Sequence, residues 1–215
     1  MKIISTNIGK KKKVIYRGKD IYTGIFKYPV DAPIKLGQED VENDQVIDRR
    51  YHGGIDKACY LFSADHYPAW KAKFPMLKWD WGMFGENLTV EGLDESEVFI
   101  GDVFKVGTAK VQVTQPRQPC FKFGIRMEDA RAVKEFIKLN QSGVYVRVLE
   151  PGEVRKDDTF ELIRSAEAQF SIKEIFFLLY NARENTDLIA EAVKLPELAT
   201  SCKNDLKRMA RNQDN

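Results

Sequence analysis

One cysteine in a proline-rich segment is the residue of this chain best suited to chemistry. Residues 114–120 read Thr-Gln-Pro-Arg-Gln-Pro-Cys, so Cys120 follows two prolines, with Arg117 before it and Lys122 after it. Proline fixes its own φ and drives the preceding residue towards extended backbone, so we expect the segment to hold Cys120 in a defined direction. Neighbouring cations favour the thiolate, which attacks electrophiles and binds soft metals. The alternative is a small buried cysteine without a chemical role.

Three further segments rich in glycine, histidine and charged residues indicate parts of the same site. They are residues 48–58 (DRRYHGGIDKA), 63–70 (SADHYPAW) and 82–88 (GMFGENL). Together with the Gln-Pro-Arg-Gln-Pro-Cys run, they resemble the MOSC domain, the family named after the C-terminal domain of molybdenum cofactor sulfurase. The resemblance is to compact bacterial members with a short helical C-terminal extension, and it covers roughly residues 1–212. The ordered set of motifs is more specific than any one of them.

The resemblance implies that the chain binds the molybdenum cofactor, with Cys120 as the metal ligand. The pterin of this cofactor carries a phosphate and a dithiolene, so its site needs cations and closely approaching backbone amides. The candidate cofactor-binding residues are Arg49, Arg50, Gly53, Gly54, Lys57, Glu86, Asn87, Arg117, Gln118 and Lys122. The family also leaves open pyridoxal phosphate binding. Taken alone, a Gly-Gly pair marks a tight turn more often than an anion site, and a Gly-Glu-Asn run is also typical of a turn.

The activity implied by the resemblance is a two-electron reduction of N-hydroxylated compounds to amines. Base analogues such as hydroxylaminopurine are the substrate class that the family suggests. Cys120 would then belong to the catalytic centre, and His52 and Asp56, together with Glu86, are candidates for delivering protons near neutral pH. A packing role for His52 and an ion pair for Asp56 are the alternatives.

Two other functions are compatible with the same residues. Cys120 could carry sulfur as a persulfide while the fold binds or relays the cofactor without catalysis. Cys120 could also be an acyl-transfer nucleophile, with His52 as base and Asp56 or Asn87 as the orienting group. Bound molybdenum, sulfur on the thiol and labelling by an acyl probe distinguish the three hypotheses.

Composition argues against several classes of function. The 215 residues contain 34 Lys and Arg against 32 Asp and Glu, and a net charge of +2 creates no global field for nucleic acid or acidic membranes. The run of four lysines at residues 10–13 is typical of a solvated loop. No apolar segment has the length of a membrane span and the N-terminus lacks a secretion signal, so we expect a cytoplasmic protein.

The cysteine pattern and the missing cofactor motifs predict a separate redox partner. The three cysteines are too widely spaced for a metal or iron–sulfur cluster, and Cys59 and Cys202 have the surroundings of structural residues. A Gly-x-Gly-x-x-Gly fingerprint for flavin or nicotinamide is also absent. We therefore expect a small-molecule N-hydroxylated substrate and an electron-donor protein as partners, and a homodimer is left open.

The periodicity of the sequence predicts a mainly β protein with α-helices. We expect a MOSC-type β-barrel with packing helices over residues 1–164 and a three-helix extension over residues 165–215. The predicted strands are residues 2–5, 14–16, 21–26, 98–106, 110–114, 144–148 and 159–163, with a hairpin turn at residues 17–20. The predicted helices are residues 127–137, 175–180 after a Ser171-to-Glu174 capping box, 186–193, and from 197 or 201 to about 212.

Overall fold

The computed structural model describes residues 1–47, 53–167, 170–181 and 184–211. The strands in these ranges are β1 (Lys2–Gly9), β2 (Lys12–Tyr16), β3 (Lys19–Thr23), β4 (Lys27–Val30), β5 (Ile34–Leu36), β6 (Cys59–Ser63), β7 (Leu88–Glu91), β8 (Val103–Val106), β9 (Ala109–Pro116), β10 (Val144–Glu150), β11 (Gly152–Val154) and β12 (Phe160–Arg164). The α-helices are α1 (Tyr67–Lys73), α2 (Phe121–Arg126), α3 (Arg131–Leu139), α4 (Ile172–Tyr180), α5 (Thr186–Ala192) and α6 (Thr200–Arg211). Short 3-10 helices lie at Ile55–Lys57 and Ala64–His66.

Eight strands form the main sheet, in the order β12-β8-β9-β10-β6-β7-β1-β4. Every neighbouring pair is antiparallel except β6 and β7, which are parallel. Strands β5 and β11 pair separately, as do β2 and β3. The predicted class, mainly β with α, is confirmed.

The sheet curls so that β1 approaches the segment entering β12. The Ile3 amide donates to the Asp158 carbonyl at 2.9 Å, and the Asp157 amide donates to the Ile3 carbonyl at 2.8 Å. The Phe160 amide donates to the Met1 carbonyl at 3.0 Å. These bonds satisfy backbone groups near one side of β1 that an open edge would expose.

The interior of the curled sheet and the C-terminal helices share one apolar core. Strand residues such as Val111 and Val146 belong to it together with Ile175 of α4, Ile189 of α5 and Leu206 of α6. A second, aromatic core lies among α1, α2 and α3 and contains Phe62, Trp70, Phe84, Phe123 and Phe136. The apolar packing is therefore continuous across residue 164. The boundary between two domains at that residue stays a prediction from sequence.

Several predicted elements agree closely with the structure. Ser171 caps α4 as expected: its hydroxyl accepts from the Glu174 amide, and the Glu174 carboxylate accepts from the Ser171 amide. The hairpin turn at Arg17 and Gly18 has two positive φ angles, 50° and 74°, as two-residue hairpin loops require. Helix α3 and strand β10 also lie where periodicity placed them.

Other elements differ from the prediction for identifiable reasons. The strand predicted over residues 98–106 begins only at Val103, because Asp102 folds back to Phe99 in a turn. Helices α1 and α2 were not predicted, since both are short and begin beside proline-containing segments that suggested loops. Within the described ranges, none of the helices has the length and hydropathy of a membrane span.

Candidate functional site

Cys120 lies at the junction between the sheet and helix α2. Strand β9 ends at Pro116, four residues follow, and Cys120 is the N-cap of α2 with extended backbone (φ −124°, ψ 173°). Its side chain is partly buried and makes no capping hydrogen bond. The proline-rich segment therefore places the thiol at the wall of a cavity, in a fixed backbone setting.

The cavity gathers residues from five separate stretches of the chain. It is lined by Thr23, Gly24, Ile25, Lys27, Asp44, Gln45, Val46, Ile47, Gly53, Lys57, Ala58, Tyr60, Gly85, Asn87, Arg117, Cys120, Lys122 and Tyr145. Four of these side chains are cationic, so the thiol shares the cavity with several positive charges. Of the residues predicted for the site, the cavity brings together Gly53, Lys57, Asn87, Arg117, Cys120 and Lys122.

The guanidinium of Arg117 is held by the protein interior. The residue is 5% exposed, and Nη1 donates to the Phe84 carbonyl oxygen. The group lies 5.0 Å from the ring centre of Tyr60 and 5.4 Å from that of Phe123. Burial alone would lower the pKa of Arg117, but the nearby Tyr60, Tyr145 and Cys120 raise it above its ordinary value. Arg117 thus provides a fixed positive charge near the thiol.

A buried ion pair that the sequence did not indicate forms another part of the wall. Lys27 of β4 pairs with Asp44, and Asp44 also accepts from the Asn87 side chain at 3.0 Å and from the Gly9 amide at 2.8 Å. Asn87 in turn accepts from the Tyr60 amide at 3.3 Å. Lys27 and Asp44 stand in unremarkable sequence surroundings, and no motif identifies them.

The Gly-Gly pair adopts the backbone that only glycine accepts easily. Gly53 and Gly54 have φ angles of 78° and 85°. A Cβ at Gly53 would come within 3.0 Å of Val46 Cγ1, so this position also needs a residue without a side chain. The Gly54 amide donates to the Glu39 carbonyl at 3.0 Å, while Gly53 lines the cavity.

Lys57 and Asp56, adjacent in sequence, have different surroundings. Lys57 lines the cavity, and burial lowers its pKa from the ordinary value of 10.5, against the opposing influence of Cys202 and Asp205. Asp56 instead pairs with Arg147 of β10 at 2.6 Å, and its backbone oxygen accepts from Thr114 at 2.7 Å. Its ion-pair partner is thus a distant arginine on the sheet.

Glu86 is enclosed within its own loop. It is fully buried and accepts from the Gly82 amide at 2.9 Å, the Phe84 amide at 3.1 Å and the Thr89 hydroxyl at 2.8 Å, as well as from Tyr67. Burial raises the pKa of the Glu86 carboxyl, and these hydrogen bonds oppose the rise. Its contacts fix the loop that presents Gly85 to the cavity.

Gln118 connects the proline-rich segment to the C-terminal helices. Its amide donates to the Asp205 carboxylate of α6 at 2.8 Å. Ser201 of the same helix donates to the Gln115 side chain at 3.0 Å. Helix α6 therefore braces the segment that carries Cys120.

The remaining predicted residues and cysteines can be placed briefly. Arg49, Arg50 and His52 lie outside the described residues. Cys59 and Cys202 are fully buried, and burial raises the pKa of both thiols, that of Cys202 to about 12. Within the described residues no group of three or more His, Cys, Asp or Glu side chains is placed to hold a metal ion.

This arrangement can hold a polyanionic ligand that contains a metal able to bind a thiolate. Cys120 supplies one soft donor, and Lys57, Arg117 and Lys122 supply positive charge around it, whereas Asp44 balances the charge of Lys27. Gly53 and Gly85 allow close approach of a ligand to the backbone. The donor set thus suits an anionic metal complex better than a bare cation.

Comparisons with known proteins identify similar sequences and structures. Residues 48–161 match the model of the MOSC domain. The chain is 38% identical over 199 residues to the protein YflK of Bacillus subtilis (strain 168), covering 93% of this chain and 90% of YflK. It is 31% identical over 197 residues to a Gibberella moniliformis protein named Reductase, covering 90% of this chain and 35% of that protein. The crystal structure of YiiM from Geobacillus stearothermophilus matches with a TM-score of 0.82 and 30% identity, over 97% of this chain and 98% of that chain.

Proposed function

The chain belongs to the MOSC domain family, and from this premise we propose that it binds the molybdenum cofactor and reduces N-hydroxylated compounds to amines. The observation that carries the proposal is the position of Cys120. Its partly buried thiol lines a cavity together with Lys27, Lys57, Arg117 and Lys122. MOSC domains are associated with this cofactor at the level of the family.

The residues of the cavity fit the cofactor chemically. Thiolate is a soft ligand suited to molybdenum, and Cys120 would be its protein ligand. Lys57 and Lys122, with the backbone at Gly53, would bind the anionic groups of the pterin. Arg117 would contribute mainly its fixed positive charge. Its guanidinium already donates to the Phe84 carbonyl, so part of its hydrogen-bonding capacity is used within the protein.

The protein's own part in the reaction is binding, orientation and proton supply. When bound, the cofactor supplies the two electrons that cleave the N–O bond of the substrate. The balanced reaction consumes one N-hydroxylated amine, two electrons and two protons, and it yields the amine and water. Lys57 is the described cavity residue best suited to pass a proton, because burial lowers its pKa below the ordinary value of 10.5. Asp56 and Glu86 are occupied by structural hydrogen bonds, and His52 stays a candidate from sequence.

The printed name of the Gibberella relative supports a redox reaction. That protein is called a reductase, and this chain spans about a third of its length. The electron source of this chain would be a separate protein, because the given sequence contains no flavin, nicotinamide or iron–sulfur motif. The name Reductase specifies no substrate, so the N-hydroxylated substrate class is part of our proposal.

A sulfur carrier is the second candidate, and the same thiol favours it. Cys120 is partly buried but reachable from the cavity, so it could hold a persulfide sulfur. In that function the cavity would bind the cofactor as a recipient of sulfur. Mass spectrometry of the intact protein would then show one additional sulfur on Cys120.

The test is turnover of hydroxylaminopurine to adenine by protein made in a host that produces molybdenum cofactor. A dithionite-reduced dye supplies electrons, so no partner protein is required. We expect turnover by the native chain and by Cys202→Ala, which removes a thiol outside the cavity, and none by Cys120→Ser. Molybdenum-loaded native protein that does not convert the substrate, or that carries persulfide on Cys120, would contradict the reductase and favour sulfur transfer.

A further inference from the structure

The hairpin of β2 and β3 carries more positive charge than the entire chain. Residues 10–23 contain six lysines and arginines and one aspartate, a net charge of +5. The chain as a whole has a net charge of +2, so the other residues together have a net charge of −3. The charge is therefore concentrated on one element, although the overall composition looks neutral.

This hairpin stands apart from the main sheet and presents one face, that of Lys13, Ile15, Asp20 and Tyr22, to solvent. Strands β2 and β3 pair only with each other among the described strands. Thr23 is the one buried residue of the two strands, and Ile15 in the middle of β2 is 74% exposed. Ile15 and Tyr22 are exposed together on the outward face, and exposed apolar surface rimmed by polar residues commonly marks an interaction site.

The hairpin also lies directly beside the Cys120 cavity. The ring of Tyr16, at the end of β2, is 4.6 Å from the ring of Phe121, the residue after Cys120. Thr23, at the end of β3, lines the cavity itself. A protein bound to the hairpin would therefore sit next to the mouth of the proposed redox site.

We propose that the β2–β3 hairpin is the docking surface for an acidic electron-transfer protein. The inference rests on the proposed reductase function, because reduction of each N–O bond requires two electrons from a donor. The donor would be oxidised by two electrons in one or two encounters, while two protons from solvent complete the amine and water. Its acidic surface would be complementary to the net charge of +5 on residues 10–23, the hairpin together with the two lysines before it.

The shape and composition of the hairpin favour a protein over a nucleic acid. Two five-residue strands span roughly 17 Å, which suits the small interfaces of transient electron-transfer complexes. Ile15 places an exposed apolar group among the lysines, as in the centre of a protein interface with a charged rim. A long polyanion would also meet the remainder of the chain, whose net charge is −3.

Calorimetric titration with an acidic bacterial flavodoxin tests the proposal independently of turnover. At about 10 mM ionic strength, where the Debye length is about 30 Å, we expect binding that weakens strongly at about 150 mM. The variant Lys10→Glu/Lys19→Glu should bind at least about tenfold more weakly. Neither lysine contributes to the cavity, and both are exposed.

A matched variant and two further probes complete the design. Lys156→Glu/Lys194→Glu makes the same change of charge at exposed positions outside the hairpin and should retain native affinity. A basic cytochrome c should not bind. The proposal is overturned if flavodoxin fails to bind the native chain, if both variants bind equally, or if a single-stranded DNA oligonucleotide binds the hairpin more tightly than flavodoxin does.

Turnover separates this inference from the proposed function. With dye as donor, the hairpin variant should match the native rate, whereas with reduced flavodoxin its kcat/KM should fall about tenfold or more. If the native chain shows no turnover with the dye, the reductase function is rejected, but the calorimetric measurement of docking remains valid. Equal flavodoxin-driven rates for the native chain and the hairpin variant would reject the docking surface alone.

Discussion

Lys27 and Asp44 form a salt bridge in the wall of the Cys120 cavity, with side chains only 9% and 3% exposed. The same carboxylate accepts from the Gly9 amide at the end of β1 and from Asn87 just before β7. This ion pair therefore joins β4, β1 and the segment before β7, and its two opposite charges balance each other at the cavity wall. It is a structural part of the site.

Replacing Asp44 should destabilise the protein strongly. In Asp44→Asn, Lys27 stays buried without a counter-charge, and breaking a buried pair in this way costs about 3–5 kcal/mol. Urea denaturation at neutral pH measures the change in the free energy of unfolding. The exposed pair Lys13 and Asp20 is the control, because each of its side chains is 55% exposed and Asp20→Asn should cost no more than about 1 kcal/mol. Equal effects of the two substitutions would contradict the structural role.

Asp56 and Arg147 should show energetic coupling if Asp56 is structural. They lie 2.6 Å apart, and Arg147 also donates to the Glu197 carbonyl at 3.0 Å before α6. A double-mutant cycle with Asp56→Asn and Arg147→Met should give a coupling energy of about 1 kcal/mol. Dye-driven turnover by Asp56→Asn should keep the native pH profile. A profile that loses one ionisation would instead identify Asp56 as a proton donor.

The lowered pKa of Lys57 predicts a specific dependence of stability on pH. The unfolded chain titrates this lysine at its ordinary pKa of 10.5, whereas the folded chain releases the proton at a lower pH. Between those two values the unfolded state binds more protons, so folding becomes more favourable as pH rises. The free energy of unfolding of the native chain relative to Lys57→Met should therefore increase over this window. A constant difference would show that burial leaves the pKa of Lys57 unchanged.

Alkylation should distinguish the three thiols. Cys59 and Cys202 are fully buried with raised pKa values, while Cys120 is partly buried and lines the cavity. Iodoacetamide should label Cys120 alone in the folded protein and all three residues after unfolding. Peptide mass spectrometry measures the site of labelling. Modification of Cys59 or Cys202 before Cys120 would contradict the described burial.

Local sequence signals predicted those parts of the molecule that local interactions determine. The capping box at Ser171 and the turn at Arg17-Gly18 depend on residues close together in sequence, and both appear in the structure. The proline-rich segment likewise led directly to Cys120. These features could be predicted because the physical cause lies within a few residues of the effect.

Long-range contacts determine the rest of the site and could not be predicted in this way. Lys27 and Asp44 meet only because β4, β1 and the segment before β7 come together in the sheet. Glu86 was a candidate ligand in sequence, yet its neighbours Gly82 and Phe84 turn their amides towards it. The lysine run at residues 10–13 was predicted as a solvated loop; all four lysines are exposed, but Lys12 and Lys13 begin β2, where Lys12 pairs with Thr23 of the cavity wall.

The most direct test of the central claim is the molybdenum content of the protein purified from a host that makes the cofactor. Metal analysis and pterin fluorescence should be compared for the native chain, Cys120→Ser and Cys202→Ala. Near-stoichiometric molybdenum and pterin in the native chain and Cys202→Ala, with the metal lost in Cys120→Ser, is the predicted result. No molybdenum or pterin in the native chain, or equal metal in Cys120→Ser, would contradict Cys120 as the ligand of a molybdenum cofactor.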